Sequence, residues 1–145
     1  MENIDTMYFS QKVMDAQSPK LGDVGAAGHD LYAVNDCELK PWSRSLISTG
    51  IALEIPTGFY GQIAPRSGLA TKGIDIGAGV IDSSYRGEIK VLLINSSDKQ
   101  FDIKKGDRIA QIIFLKCFQV SKFVLKSELS DTQRGTGGFG STGLR

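Results

Sequence analysis

Hydrophobic and polar positions alternate through most of the chain from Ile47 to Val120. Ile47, Thr49, Ile51, Leu53 and Ile55 are interleaved with Ser48, Gly50, Ala52 and Glu54, a period of two that predicts a strand over 47–55. Pro56-Thr57-Gly58 marks a turn, and Gly58 to Ala64 continues as a second strand. Between Gly87 and Asn95, Ile89, Val91 and Leu93 occupy one face, with Leu92 and Ile94 on the other. A strand apolar on both sides is expected to be covered on both. Phe101 and Ile103 predict a further strand, bounded by the turn signals Asn95-Ser96-Ser97-Asp98 and Lys104-Lys105-Gly106-Asp107. Arg108 to Val120 has the apolar content of a helix, but its isoleucines and lack of an end cap favour one long strand. Helical periodicity is nearly absent; Ser67 to Lys72 is the one stretch that predicts a helix, of two turns at most.

Short strands at intervals of about ten residues imply an all-β sandwich or barrel, and a jelly-roll-like antiparallel fold is the expectation. The pattern stops near Ser130. Residues 131–145 hold only two large hydrophobes, Phe139 and Leu144, too few for a core. The chain thus divides into a β core over 1–130 and a glycine-rich C-terminal arm over 131–145.

Composition narrows the function classes. Lys and Arg number 17 and Asp and Glu 16, a net charge of +1, so no broad nucleic-acid footprint is expected and any basic site is local. No apolar run reaches the roughly 18 residues of a membrane span, and the start of the chain lacks a signal-peptide layout. An intracellular protein, cytoplasmic or nuclear, is expected. Cys37 and Cys117 read as ordinary buried thiols rather than a disulfide. Trp42 reads as a packing residue, and Asn95-Ser96-Ser97 as a glycosylation acceptor without consequence in an unsecreted chain.

Five segments carry residues that a plain β domain does not need. Ala26-Ala27-Gly28-His29-Asp30-Leu31-Tyr32 places Asp30 among small and apolar neighbours, where a turn aspartate is the simplest reading. Its histidine, the only one in the chain, reads as structural or surface. Ala64-Pro65-Arg66-Ser67-Gly68-Leu69 sets an arginine at the start of a short helix. N–H groups there suit an anion, although an N-cap serine beside a surface arginine would look the same. Gly79-Val80-Ile81-Asp82-Ser83-Ser84-Tyr85-Arg86-Gly87 reads as a hairpin with Asp82 at the end of its first strand. Gly106-Asp107-Arg108-Ile109-Ala110-Gln111 puts the amide of Gln111 on an apolar strand, where it needs either a backbone partner or a ligand. Arg134-Gly135-Thr136-Gly137-Gly138-Phe139-Gly140-Ser141-Thr142 contains a literal GxGxxG, but no strand precedes it and no room for a helix follows, so it is not a dinucleotide fingerprint.

In order and spacing, these segments together resemble the five motifs of the trimeric dUTPase family, from about Gly25 to Gly143. The resemblance implies hydrolysis of dUTP to dUMP and pyrophosphate, which keeps uracil out of DNA and supplies dUMP for thymidylate synthesis. It implies a homotrimer whose sites are shared between chains, and Mg²⁺ as cofactor. Asp82 corresponds to the base that activates the attacking water. Asp30 corresponds to the acid that supports metal-bound water. Arg66, Ser67, Gly68 and Gln111 correspond to phosphate-holding residues. The backbone of Gly79, Val80 and Ile81 corresponds to the reader of uracil, and Tyr85 to the residue under the deoxyribose. Some members add an Asn side chain where this sequence has Ile76, so base reading here is expected from backbone alone. Arg134, Phe139, Gly140, Ser141 and Thr142 correspond to a lid over the nucleotide, with Phe139 stacked on the base. A dCTP deaminase on a similar fold and a non-catalytic regulatory protein are the competing classes; the intact third motif and the arm argue against both.

Overall fold

The computed structural model describes residues 5–144. Among them it forms twelve strands and one single-turn helix: β1 (Tyr8–Gln11), β2 (Lys20–Leu21), β3 (His29–Tyr32), β4 (Cys37–Leu39), β5 (Arg44–Ser48), β6 (Ile51–Glu54), β7 (Phe59–Ala64), α1 (Ser67–Ala70), β8 (Ile74–Gly77), β9 (Val80–Ile81), β10 (Lys90–Asn95), β11 (Phe101–Ile103) and β12 (Arg108–Lys116). All pairings are antiparallel. A five-stranded sheet runs β2-β3-β12-β7-β9 and a three-stranded sheet β5-β10-β8, with two-stranded ribbons β1-β6 and β11-β4. This is the expected all-β, jelly-roll-like architecture.

The core lies where the alternation puts it. Ile63, Val91, Leu93, Ile109 and Ile112 are buried with Leu31, Leu39, Ile51 and Ile103 in one cluster. On β10, Val91 and Leu93 are fully buried while Leu92 and Ile94 are half-covered, so within one chain the strand is sealed on one face only. Asn95 is buried at its end, and its amide donates to the carbonyls of Leu39, Lys40 and Lys99. Three bonds to backbone leave no place for a glycan.

Several expectations need correction. The single strand over 47–55 is two, β5 and β6, broken at Thr49-Gly50. Gly50 has φ +72°, and a Cβ there would lie 2.5 Å from Val13 Cγ2, so the chain turns where alternation alone would run on. The long strand from Arg108 ends at Lys116, not Val120; beyond it Phe118, Val120, Phe123, Val124, Leu125 and Leu129 are all exposed. Trp42 does not pack. It sits at φ +55° on the tip of the turn that Ser43 Oγ closes on the Lys40 carbonyl, which throws the indole outward. Cys37 and Cys117 are free, as expected, but half-buried. No helix among the described residues is long and apolar enough to cross a membrane.

Candidate functional site

The expected site residues fall into three groups. The first lies on the outer face of the five-stranded sheet. Asp30 stands opposite Gln111, and Gln111 opposite Ala64, across β3, β12 and β7. Beyond β7, Arg66 caps α1 with extended backbone and no side-chain cap, so Ser67 opens the helix rather than capping it. The side chain of Asp30 is 14% exposed, with Arg66 Nε 3.7 Å from Oδ1 and Arg108 Nη1 3.8 Å from Oδ2. Gln111 Nε2 donates to the Pro65 carbonyl at 3.1 Å, the structural answer to its need for a partner. An amide carries two donors, so one remains. Gly28 is needed here, because a Cβ would lie 2.6 Å from Gln111 Oε1. Two guanidiniums against one buried-side carboxylate leave the group with net positive charge, suited to a polyanion.

The second group surrounds Asp82. The Gly79–Gly87 segment is not a hairpin with paired arms. β9 pairs with β7, whereas β10 pairs with β5 and β8 in the other sheet. The reason is that Ile81 is buried against the core and its neighbours complete the ladder on β7. Ile63 N–H donates to the Gly79 carbonyl at 2.7 Å, which makes 63 and 79 a bonded pair. Bonded and non-bonded pairs alternate, so the N–H and C=O of Val80 face the open edge of the sheet. A turn follows, with Tyr85 N–H on the Asp82 carbonyl at 3.1 Å. Tyr85 Oη donates to the Glu88 carbonyl at 2.8 Å, and its ring occupies the space a Cβ on Gly87 would need. Asp82, Tyr85, Val80, Leu46 and Lys90 line a cavity of about 300 Å³.

The third group is the arm. Arg134 Nε donates to the carbonyl of Gly137, and Ser141 N–H to that of Gly138, so the segment bonds to itself. Phe139 is fully exposed at φ +52°. Gly140, Ser141 and Thr142 make no hydrogen bond to either of the other groups among the described residues.

The first two groups are far apart within one chain. By the β7–β9 register, Asp82 lies at the level of Tyr60. Arg66 follows the opposite end of β7, roughly 15–20 Å away at the rise of a strand. The sequence missed Arg108, whose guanidinium completes the Asp30 cluster, although it stands in the motif beside Gln111. A cavity of about 550 Å³ among Phe9, Phe59, Phe114 and His29 contains none of the expected site residues. His29 is structural there: its ring packs on Phe114 at 5.9 Å and its Nδ1 is buried without a partner.

Among the described residues no three His, Cys, Asp or Glu side chains converge as a metal cage. A Mg²⁺ carried on phosphates keeps most of its waters, and Asp30, the carboxylate between the two arginines, would be the residue to hold it, through water.

The dUTPase family model matches residues 14–143. The deoxyuridine 5'-triphosphate nucleotidohydrolase of Paramecium bursaria Chlorella virus 1 is 49% identical over 142 residues, which cover 97% of this chain and 100% of that one. The chain belongs to the dUTPase family. The Saccharomyces cerevisiae member is 49% identical over 129 residues, covering 88% of each chain. The dUTPase of Staphylococcus bacteriophage 80alpha, solved with dUPNHPP, is 25% identical with a TM-score of 0.89 over 97% of this chain and 99% of that one.

Proposed function

We propose that the protein hydrolyses dUTP to dUMP and pyrophosphate, at a site assembled from several copies of the chain. The observation that carries this reading is the separation of Asp82 from Arg66. A base that delivers water to the α-phosphorus and a cation on the neighbouring phosphates must both reach one triphosphate, to within contact distance. A span of roughly 15–20 Å prevents one chain from doing so. A neighbouring copy in a homotrimer, presenting its own Arg66 cluster to the Asp82 cavity, removes the difficulty, and the arm of a third copy closes the site.

The base enters the cavity beside Asp82 and pairs with the free N–H and C=O of Val80, between Gly79 and Ile81. Backbone donors and acceptors are fixed, so cytosine leaves them unpaired and is rejected. Tyr85, tethered through Glu88, fills the space under the deoxyribose that a 2′-hydroxyl would require. Asp82 accepts a proton from the water that attacks the α-phosphorus in line. The α–β phosphoanhydride bond breaks and pyrophosphate leaves. Arg66, the N–H groups of Ser67 and Gly68, and the second Gln111 donor hold the leaving phosphates. Asp30 keeps Arg66 in place and would accept a hydrogen bond from a water on the metal. Mg²⁺, when bound with the nucleotide, neutralises charge on the phosphates. From the arm, Arg134, Gly140, Ser141 and Thr142 wrap the triphosphate and Phe139 stacks on uracil.

Incubation with each deoxynucleoside triphosphate, UTP and Mg²⁺, with pyrophosphate as the readout, tests the reading. dUTP is expected to exceed the others by orders of magnitude in kcat/KM. Comparable values for dUTP and dTTP, or ammonia released from dCTP, would overturn it.

A further inference from the structure

We propose that Arg108 is a positioning residue for phosphate binding, placed by a β-bulge at Ile109, and that it acts by sharing Asp30 with Arg66. On a regular strand, residues three apart face opposite sides. Arg108 and Gln111 would therefore point away from each other, and Arg108 away from Asp30. The ladder between β12 and β3 instead skips a residue. Arg108 stands opposite Tyr32 and Ala110 opposite Leu31, so Ile109 has no partner of its own. One inserted residue restores the phase. Arg108 joins Asp30 and Gln111 on the outer face, while the adjacent Ile109 and Ala110 are both fully buried. Bulges re-aim side chains in this way beside functional sites.

The re-aimed guanidinium has a specific consequence for Arg66. Arg66 Nη1 donates to the Arg108 carbonyl at 3.1 Å, and its Nε faces Asp30 Oδ1 at 3.7 Å. Arg108 Nη1 occupies the other side of the carboxylate, 3.8 Å from Oδ2. While both arginines share Asp30, Asp30 cannot close on Arg66 with both oxygens. Arg66 is anchored through one edge, and Nη2 has no partner among the described residues. Without Arg108, the carboxylate is free to form the two-pronged pair that a planar guanidinium favours, and the fork turns from phosphate to aspartate.

The proposal rests on the reading that Arg66 holds phosphate, and a double-mutant cycle separates the two. The steady-state constants for dUTP are measured for Arg66→Ala, Arg108→Gln and the double variant in the full-length protein with Mg²⁺. Arg66→Ala is expected to raise KM; an unchanged KM there sinks the phosphate reading itself. Arg108→Gln is expected to raise KM about 10-fold with kcat held within about threefold. In the Arg66→Ala background the same change is expected to do nearly nothing, because the residue it positions is gone. Effects that multiply in the double variant, or an Arg108→Gln enzyme with normal KM, overturn the proposal. Should Arg108→Gln fail to fold, Arg108→Lys decides, since it keeps the charge without the fork. A raised KM that vanishes in the Arg66→Ala background supports positioning; a KM equal to the unmodified enzyme contradicts it.

Discussion

The strands from Tyr8 to Lys116 and the segment that follows them use the same kinds of side chain to opposite effect. In the strands, isoleucines, leucines and valines on the inward faces meet across the sheets and leave water almost entirely. After Lys116, Phe118, Phe123, Leu125 and Phe139 are at least nine-tenths exposed, and no strand or helix forms. Alternation with a turn every few residues lets the first region satisfy its hydrophobic face and its backbone within one chain. The second has hydrophobes without a partner sheet and glycines that fix no conformation. Under the proposed function it is held from outside, by a nucleotide or by another copy. The proposed chemistry is divided along the same line, with recognition and the base on the strands and the lid on the tail.

The largest effect is expected from the strand region. Asp82→Asn keeps the shape of the turn and removes the base, and kcat should fall ~10²–10⁴-fold with dUTP binding retained. Near-normal turnover would make Asp82 only a turn residue. Removing Thr132 to Arg145 sharpens the contrast from the other side. kcat/KM should fall by ~10²-fold, since phosphate contacts and base stacking are lost together, while the circular dichroism spectrum and thermal midpoint stay close to those of the full chain. A truncated chain that no longer folds would show that the tail belongs to the core. Ile112→Ala, at a fully buried position of β12, should cost about 2–5 kcal/mol in denaturant unfolding. Tyr85→Phe removes only the tether to the Glu88 carbonyl, worth about 1 kcal/mol. Discrimination of dUTP against UTP should weaken several-fold, measured as a ratio of kcat/KM values.

How much was legible follows from the same physics. β7, β11 and most of β10 and β12 were readable because one-sided burial writes a period of two into the sequence. β1 and β2 were not, because all their residues are exposed and carry no such period. The break at Gly50 was hidden by apolar residues on both sides of it. The Asp30, Arg66, Asp82 and Gln111 positions could be named from motifs, but their grouping could not. That depends on register, as does the bulge at Ile109, which returns Arg108 to the face that simple alternation denies it. The distance between Asp82 and Arg66 likewise exists only once β7 and β9 are aligned.

The claim that the site is shared between chains has a direct test. Asp82→Asn chains, slow in turnover, and Arg66→Ala chains, weak in binding, are unfolded together in equal amounts, refolded, and assayed for pyrophosphate at dUTP far below the KM of Arg66→Ala. In a cyclic trimer, one neighbouring pair in four supplies both an intact Asp82 and an intact Arg66 from the correct chains, so about a quarter of the unmodified activity should return. A mixture no more active than its components would mean that both residues act from the same chain, and the shared site would be wrong.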